Sequence, residues 1–234
     1  CIGAYLYNFE NDEVLYSVGA DERVYPTSTV KLMTGIVAIE ELGDDLSRQV
    51  TITAEMLSKV AGNNVGLLAG EVVTVEQLLY AMLVNSANDA AMVLAYAACG
   101  SVEAFVERMN EKANTLGAYD TYYANPTGMH NDAMVTTVAD TAIIAYTLPL
   151  FMEIVSTPKY VMEATNLSDY RNIYNRNCLL SKYYNVNYPY PRATGMNAGA
   201  TTQGGYAICA TAEESSTGLS YLAIVMGADE EDGA

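Results

Sequence analysis

The stretch Pro26-Thr27-Ser28-Thr29-Val30-Lys31-Leu32-Met33 decides how this chain is organised. It places a serine hydroxyl and a lysine amine three residues apart at the start of an apolar helix, and residues i and i+3 share one helical face. We therefore expect the Lys31 amine to approach the Ser28 hydroxyl and to accept its proton. A serine alone is a weak nucleophile, and a base within hydrogen-bond reach activates it.

The helix that carries Lys31 is apolar nearly all round, which predicts a central, buried helix. Burial disfavours the charged form of a lysine and lowers its pKa, and a lysine that acts as a base near neutral pH needs such a lowering. Ser28, near the helix N-terminus, would have free backbone N–H groups beside it to stabilise an oxyanion. The alternative interpretation is an N-capping serine followed by a lysine whose amine reaches solvent.

The same spacing occurs a second time, at Ser156-Thr157-Pro158-Lys159. Pro158 disfavours a helical conformation at the residue before it and does not fit a helix interior, so this copy is predicted to be a turn. Spacing alone leaves both interpretations of Ser28 open.

Composition indicates one globular domain that binds neither nucleic acid nor an anionic membrane surface. Of the 234 residues, 51% are hydrophobic and 17% are charged, a balance typical of folded domains. The 11 basic and 28 acidic residues give a net charge of −17, which repels polyanions. We expect no membrane span in this sequence.

The metal-ligating residues are few and scattered. The four cysteines, Cys1, Cys99, Cys178 and Cys209, show no Cys-x-x-Cys spacing, and the single histidine is His130. We therefore expect no metal and no other cofactor. His130 is a weaker candidate for a general base, since Lys31 already fills that role.

The apolar patterns predict an α+β fold. Strands are predicted at 1–8 and 13–18 around a turn at Asn11-Asp12, and again at 205–212 and 219–226. Helical patterns cover 54–61, 75–84, 90–98, 102–116 and 138–146, with a short strand at 50–52. We expect the two chain ends to share one antiparallel sheet, with the sheet part at about 1–49 and 188–234 and a mostly helical lobe at about 50–187. The tyrosine-rich segment 183–191 is predicted to be an ordered loop.

A polar segment, Asn85-Ser86-Ala87-Asn88-Asp89, separates two of the predicted helices. These residue types make good turns and N-caps. In the functional interpretation, Ser86 relays protons near the Lys31 amine and the Asn88 amide holds a substrate carbonyl or the lysine itself. Spacing does not choose between the two.

Taken in order, the motifs resemble those of the low-molecular-weight penicillin-binding proteins that act as serine D-Ala-D-Ala carboxypeptidases. The segment 26–34 is similar to the nucleophile motif of that family, Ser86-Ala87-Asn88 to its Ser-x-Asn motif, and Asn125-Pro126-Thr127-Gly128 to its Asn-Pro-x-Gly turn. Gly70-Glu71 and the segments 136–140 and 175–180 also follow the family order. The resemblance runs almost end to end and implies a β-lactamase/transpeptidase-like fold, with the active site between the sheet and the helical lobe.

This resemblance implies a chemistry. Ser28 would attack the carbonyl of the penultimate D-Ala of a peptidoglycan stem peptide, Lys31 would accept the proton, and Ser86 with Asn88 would complete the proton path. β-Lactams would acylate the same serine because their ring amide mimics that peptide. The family also implies a location outside the cytoplasm, in the bacterial cell envelope.

The third family motif, Lys-Thr-Gly, is where the sequence departs. Gly199, Thr201, Gly205 and Tyr206 fit the family register, so the motif falls at Asn197-Ala198-Gly199, and both the lysine and the threonine are replaced. The resemblance still implies that Asn197, Ala198, Gly199 and Ala200 contact the substrate, with the backbone N–H groups of Ala200 and Ser28 forming the oxyanion hole. The resemblance also leads us to expect a closing helix at the end of the family domain, beyond Ala234.

Three hypotheses follow. The first is a serine carboxypeptidase acting on peptidoglycan. The second is an impaired relative that binds muropeptide or β-lactam without efficient turnover, because Asn197 carries no charge to hold a substrate carboxylate. The third is another acyl-transfer hydrolase of the same fold, such as a β-lactamase or an esterase.

Overall fold

The computed structural model describes residues 1–147, 151–183 and 188–229. Five antiparallel strands form its main sheet in the order β2-β1-β9-β8-β7. These strands are β1 (Gly3–Asn8), β2 (Glu13–Val18), β7 (Ala193–Thr201), β8 (Gly205–Glu214) and β9 (Leu219–Ala228). Both chain ends therefore contribute to one antiparallel sheet, as the sequence predicted.

The remaining described elements lie between β2 and β7. The helices are α1 (Val30–Leu42), α2 (Ala54–Leu57), α3 (Val75–Asn85), α4 (Asn88–Cys99), α5 (Val102–Leu116), α6 (Val138–Tyr146) and α7 (Met152–Val155). Two small hairpins accompany them: β3 (Gln49–Thr51) with β4 (Val72–Thr74), and β5 (Lys159–Met162) with β6 (Arg171–Tyr174). Helix α7 and the β5–β6 hairpin were not predicted from the sequence, and α2 ends four residues earlier than predicted.

Local caps explain why the longer helices begin where they do. The Thr74 hydroxyl accepts the N–H of Gln77 at the start of α3, and the Thr137 hydroxyl accepts the N–H of Asp140 at the start of α6. Ser101 caps α5 in the same way, and Gly117, with φ of 91°, ends it. Such caps satisfy N–H groups that the first helical turn leaves unpaired.

Helix α1 is the centre of the molecule. Ten of its residues are buried, among them Lys31 and Gly35, and it packs against α3, α4, α5 and α6. Helix α6 lies in the stretch assigned to the lobe, yet it packs against β1 and β9 of the main sheet. Residues 26–31 are thus held between the sheet and the helical lobe, at the position that the resemblance implies for an active site.

Two expectations fall partly or wholly outside the described residues. Residues 184–187 of the tyrosine-rich segment and the chain end at 230–234 are not described. In the ranges that are described, no single helix is long and apolar enough to cross a membrane. The pair α4 and α5 would pass by length and composition alone, with a bend of 87° between them.

Candidate functional site

The segment that carries Ser28 is a short 3-10 turn, Thr27–Thr29, that leads directly into α1. The Thr29 hydroxyl donates to the carbonyl of Pro26 at 2.5 Å, which closes the turn. Thr27 adopts a positive φ of 50°, a conformation that is uncommon for residues other than glycine. Ser28 itself is half-buried at the surface of this turn.

Lys31 is completely buried one turn further along. Its Nζ donates to the main-chain carbonyl of Thr127, which lies in the Asn125–Gly128 turn. The same turn also accepts a hydrogen bond from the Thr34 hydroxyl at the carbonyl of Pro126, at 2.8 Å. Burial, with a smaller contribution from the positive charge of Arg176, lowers the pKa of Lys31 from 10.5 to about 7. With its pKa near 7, a large share of the amine is neutral at neutral pH and can accept a proton.

The Asn125–Gly128 turn is built to fit beneath the Ser28 segment. The Asn125 side-chain oxygen accepts the N–H groups of Thr127 and Gly128 at 3.1 and 2.9 Å. A Cβ on Gly128 would lie 1.9 Å from the carbonyl oxygen of Thr27. Only glycine permits this approach, which explains the glycine in the Asn-Pro-x-Gly pattern.

In the polar segment between α3 and α4, the two candidate functional residues, Ser86 and Asn88, are both buried. Ser86 follows the last residue of α3 with a left-handed φ of 60° and is 3% exposed. Among the residues that the structure describes, its hydroxyl oxygen has no hydrogen-bond partner. The Asn88 side-chain amide donates to the carbonyl of Ala61 at 2.7 Å, and its main-chain N–H donates to the carbonyl of Asn63 at 2.8 Å. Asn88 thus holds the 61–63 loop against α4, a partner that the sequence analysis did not foresee.

Strand β7 packs against Ser28, the predicted nucleophile. A Cβ on Gly199 would lie 2.5 Å from both Cβ and Oγ of Ser28, so the β7 backbone packs directly on the serine. Ala198 is half-buried, and Ala200 is exposed opposite Tyr206 of β8. This contact places the Asn197–Ala200 stretch beside Ser28 and supports the register argument made from the sequence.

The side chain of Asn197 is directed toward α3. It is 2% exposed, and its amide donates to the carbonyl of Leu83 at 3.3 Å. Its Oδ1 is buried and has no hydrogen-bond partner within residues 1–147, 151–183 and 188–229. Because an amide is uncharged and this one bonds to α3, Asn197 places no charged group in the cleft beside Ser28. It links β7 to the last turn of α3, three residues before Ser86.

The weaker candidates lie in different surroundings. The Nε2 atom of His130 lies 3.0 Å from a carboxylate oxygen of Asp132, and its ring makes an edge contact with the ring of Tyr25. Ser156 follows the end of α7 and Lys159 begins β5, so the second Ser-x-x-Lys is a turn, as predicted. In the part of the chain that the structure describes, no group of three or more His, Cys, Asp or Glu residues could hold a metal ion.

Two residues near the site were missed by sequence reasoning. Arg176 is half-buried and its charge acts on Lys31, and its Nη1 donates to the side-chain oxygen of Asn63 at 3.3 Å. Position 176 lies within a segment that follows the family order, but nothing in its spacing pointed to a role. Asn63 belongs to a loop that carries no motif.

Comparisons with known proteins agree with this arrangement. The family profile described as D-alanyl-D-alanine carboxypeptidase, peptidase S11, matches residues 3–230. The D-alanyl-D-alanine carboxypeptidase DacF of Bacillus subtilis is 31% identical over 231 residues, which cover 96% of this chain and 57% of that protein. The D-alanyl-D-alanine carboxypeptidase of Streptomyces sp. K15 is 31% identical over 198 residues, 78% of this chain and 68% of that protein. The chain thus spans little more than half the length of the Bacillus relative.

Solved structures share the fold over nearly the whole chain. The D-alanyl-D-alanine carboxypeptidase of Mycobacterium tuberculosis superposes with a TM-score of 0.84 at 27% identity, covering 96% of this chain and 81% of that one. The Streptomyces K15 DD-transpeptidase gives a TM-score of 0.86 at 27% identity, covering 98% and 90%. The prediction of a transpeptidase-like α+β fold is confirmed.

Proposed function

The chain belongs to the D-alanyl-D-alanine carboxypeptidase family, and we propose that it hydrolyses the terminal peptide bond of peptides ending in D-Ala-D-Ala through an acyl-enzyme on Ser28. The observation that carries this proposal is the buried Lys31, whose pKa is lowered to about 7 one turn from a serine against which β7 packs. A base that can reach the serine hydroxyl makes it a nucleophile, and Lys31 lies three residues after Ser28 at the start of the same helix.

The proposed reaction proceeds in two balanced steps. Ser28 Oγ attacks the carbonyl carbon of the penultimate D-Ala while its proton passes to Lys31. The C–N bond then breaks, the terminal D-Ala leaves, and its nitrogen takes the proton that Lys31 holds. A water molecule next attacks the ester carbonyl and gives one proton to the Lys31 amine. The bond between the carbonyl carbon and Ser28 Oγ then breaks, Lys31 returns that proton to Ser28 Oγ, and the shortened peptide leaves as the acid. Backbone N–H groups of Ser28 and Ala200 would stabilise the oxyanion in each step.

The other residues of the proposed site transfer protons or position the substrate peptide. Ser86 is proposed to carry protons between Lys31 and the leaving nitrogen, because its buried hydroxyl has no partner in the described part of the chain. Asn88 is proposed to position the substrate amide. Its side chain donates one N–H to the Ala61 carbonyl, and an amide carries a second N–H and an acceptor oxygen that could serve the peptide. The β7 residues 197–200 are proposed to border the peptide, and β-lactams to acylate Ser28. The natural substrate would be a peptidoglycan stem peptide in the bacterial cell envelope, outside the cytoplasm.

The second candidate is a relative that acylates slowly or fails to turn over. The specific observation that favours it is the uncharged Asn197-Ala198 pair, with Asn197 turned toward α3. A substrate carboxylate then lacks a charged partner on β7.

A mass measurement combined with a turnover assay tests both candidates. We expect incubation with benzylpenicillin to add one drug mass to the intact protein and to leave Ser28→Ala unmodified. Release of D-Ala from diacetyl-Lys-D-Ala-D-Ala, followed in parallel, measures turnover. An adduct with D-Ala release supports the carboxypeptidase, and an adduct without release supports the second candidate. Absence of an adduct on a folded wild-type protein contradicts the proposed nucleophile.

A further inference from the structure

Met129 is the one exposed methionine of the chain. All 11 methionines lie within the described ranges. Eight of them are buried and two, Met56 and Met152, are half-buried, whereas Met129 is 40% exposed. Peroxides oxidise the thioether of methionine to a sulfoxide, and this reaction needs access to the sulfur atom. Met129 is therefore the methionine that an oxidant in solution reaches first.

The main chain of Met129 is fixed to the Asn125–Gly128 turn. Its N–H donates to the Thr127 hydroxyl at 3.2 Å, and its carbonyl accepts the Asn125 side-chain amide at 2.8 Å. The same turn binds the Lys31 amine at the carbonyl of Thr127. Met129 is thus attached to the element that anchors the proposed base.

The side chain of Met129 reaches the loop that holds Asn88. A Cβ on Gly62 would lie 3.1 Å from Met129 Sδ and 3.0 Å from Asn88 Nδ2. Gly62 stands between the two residues whose carbonyls bind Asn88. The Ala61 carbonyl accepts the Asn88 side-chain amide at 2.7 Å, and the Asn63 carbonyl accepts its main-chain N–H at 2.8 Å. The sulfur atom therefore packs where this loop contacts Asn88.

An added oxygen changes both the space and the hydrogen bonding at this contact. Met129 Sδ and Asn88 Nδ2 approach the same position beside Gly62, so an oxygen on the sulfur pushes against the loop. A thioether is a weak acceptor, whereas a sulfoxide is polar and its oxygen accepts strongly. That oxygen competes for the second N–H of the Asn88 amide, which the proposed function offers to the substrate peptide.

We propose that Met129 is an oxidation site that controls the reactivity of Ser28. Hydrogen peroxide transfers one oxygen atom to Met129 Sδ: the O–O bond breaks, the sulfur loses two electrons and becomes the sulfoxide, and the peroxide is reduced to water. The oxidised side chain disturbs the contacts that hold Asn88, and acylation slows. The inference rests on the proposed function, because its consequence is measured on the reaction at Ser28. Met129 is a positioning residue and takes no part in the bond changes at Ser28.

The test measures oxidation and acylation on the same samples. Wild type, Met129→Leu and the control Met152→Leu are treated with hydrogen peroxide, and catalase removes the excess. Dithiothreitol then reverses the oxidation of thiols to sulfenic acids and disulfides, and peptide mass mapping locates the oxygen that remains. The rate of acylation by benzylpenicillin is divided by the rate of the same protein without peroxide, so any effect of the leucine itself cancels.

We expect the sulfoxide to form first at Met129 and to slow acylation of wild type about 10- to 100-fold, the order that a displacement of about 1 Å costs. Met152→Leu should lose as much. Met129→Leu should keep its rate, because leucine has a volume close to that of methionine and no sulfur to oxidise. Methionine sulfoxide reductases A and B together should restore wild type.

Three results would overturn the inference. The first is an equal loss of rate in Met129→Leu and in wild type. The second is a wild-type rate that stays unchanged once the Met129 sulfoxide has formed. The third is a peptide map in which another methionine is oxidised before Met129.

A measurement without the reaction separates this inference from the proposed nucleophile. Amide hydrogen exchange is followed by mass spectrometry in the peptide that contains Asn88, whose N–H donates to the Asn63 carbonyl. We expect faster exchange in oxidised than in untreated wild type, and no effect of peroxide in Met129→Leu. If benzylpenicillin fails to acylate even the untreated protein, the proposed nucleophile is wrong and the exchange result alone decides the role of Met129. Equal protection before and after oxidation contradicts that role.

Discussion

The two sides of the cleft, the Ser28 turn with α1 and strand β7, present different chemical groups to a substrate. The wall formed by the Ser28 turn and α1 presents a hydroxyl and, behind it, a buried amine anchored on Thr127. The β7 wall touches the serine through the backbone at Gly199, while the side chain of Asn197 bonds to α3. In the proposed function, reactivity and substrate holding are therefore assigned to separate elements, and each can be altered by mutation without the other.

The largest effect should come from removing the base on the reactive wall. We expect Lys31→Met to slow acylation by benzylpenicillin about 10²- to 10⁴-fold, the usual contribution of a positioned general base. The variant should also unfold at a higher temperature, because an apolar side chain of similar length replaces a desolvated amine. Acylation at the wild-type rate would show that Lys31 is not the base.

The pH dependence of that stability difference has a defined sign. The pKa of Lys31 is about 7 in the folded state against an ordinary value of 10.5, so the unfolded chain binds more protons between these values. The contribution of Lys31 to the free energy of unfolding therefore rises with pH in this window, by at most about 1.4 kcal/mol per unit. The advantage of Lys31→Met over wild type, measured by urea unfolding, should shrink from pH 7 to pH 9; a constant difference would contradict the lowered pKa.

The next largest effect should come from disturbing the contact between Gly199 of β7 and Ser28. In Gly199→Ala the new methyl group would lie 2.5 Å from Ser28 Cβ and Oγ, so the strand and the serine must move apart. A shift of about 1 Å in a reacting group costs about 10²-fold in rate. We expect a loss of that order in acylation, measured by intact mass, with circular dichroism confirming the fold. Substitution of the exposed Ala200 by serine is the comparison and should have a far smaller effect.

Restoring the charged residue and the hydroxyl on β7 should increase the rate of acylation. We expect Asn197→Lys/Ala198→Thr to accelerate acylation by benzylpenicillin about tenfold, since a charged donor is worth more than a neutral one. Ala198→Thr alone is the control, because it adds the hydroxyl without the charge. If the double variant gains nothing over this control, charge at position 197 does not limit the reaction.

The smallest expected effect is a shift in the pH dependence of acylation, caused by the charge of Arg176. Acylation should increase as pH rises through about 7, because Lys31 must lose its proton to act as a base. Arg176 contributes to that lowered pKa, so Arg176→Gln should move the midpoint of the pH–rate profile to higher pH, and the control Arg192→Gln should not. A midpoint that is unchanged in Arg176→Gln would show that its charge does not reach the amine.

The sequence predicted the elements that have strong local signals and missed those that depend on distant partners. Helices α5 and α6 begin and end at the predicted residues because Ser101, Thr137 and Gly117 cap them. The β5–β6 hairpin was missed because its four-residue strands carry little apolar pattern.

In the candidate site, the Ser28–Lys31 spacing is local and could be recognised from the sequence. The link from Asn88 to Ala61 and the position of Arg176 depend on loops that meet only in the folded chain.

The bond from Lys31 to the Thr127 carbonyl joins residues 96 positions apart, and the bond from Asn197 to Leu83 joins residues 114 apart. Contacts of such high sequence separation form late, because a large loop-closure entropy precedes them. A partly folded chain has the serine but neither the buried amine nor the strand beside it. Covalent labelling by a β-lactam, applied as a pulse during refolding, would therefore count only those molecules whose long-range topology is complete.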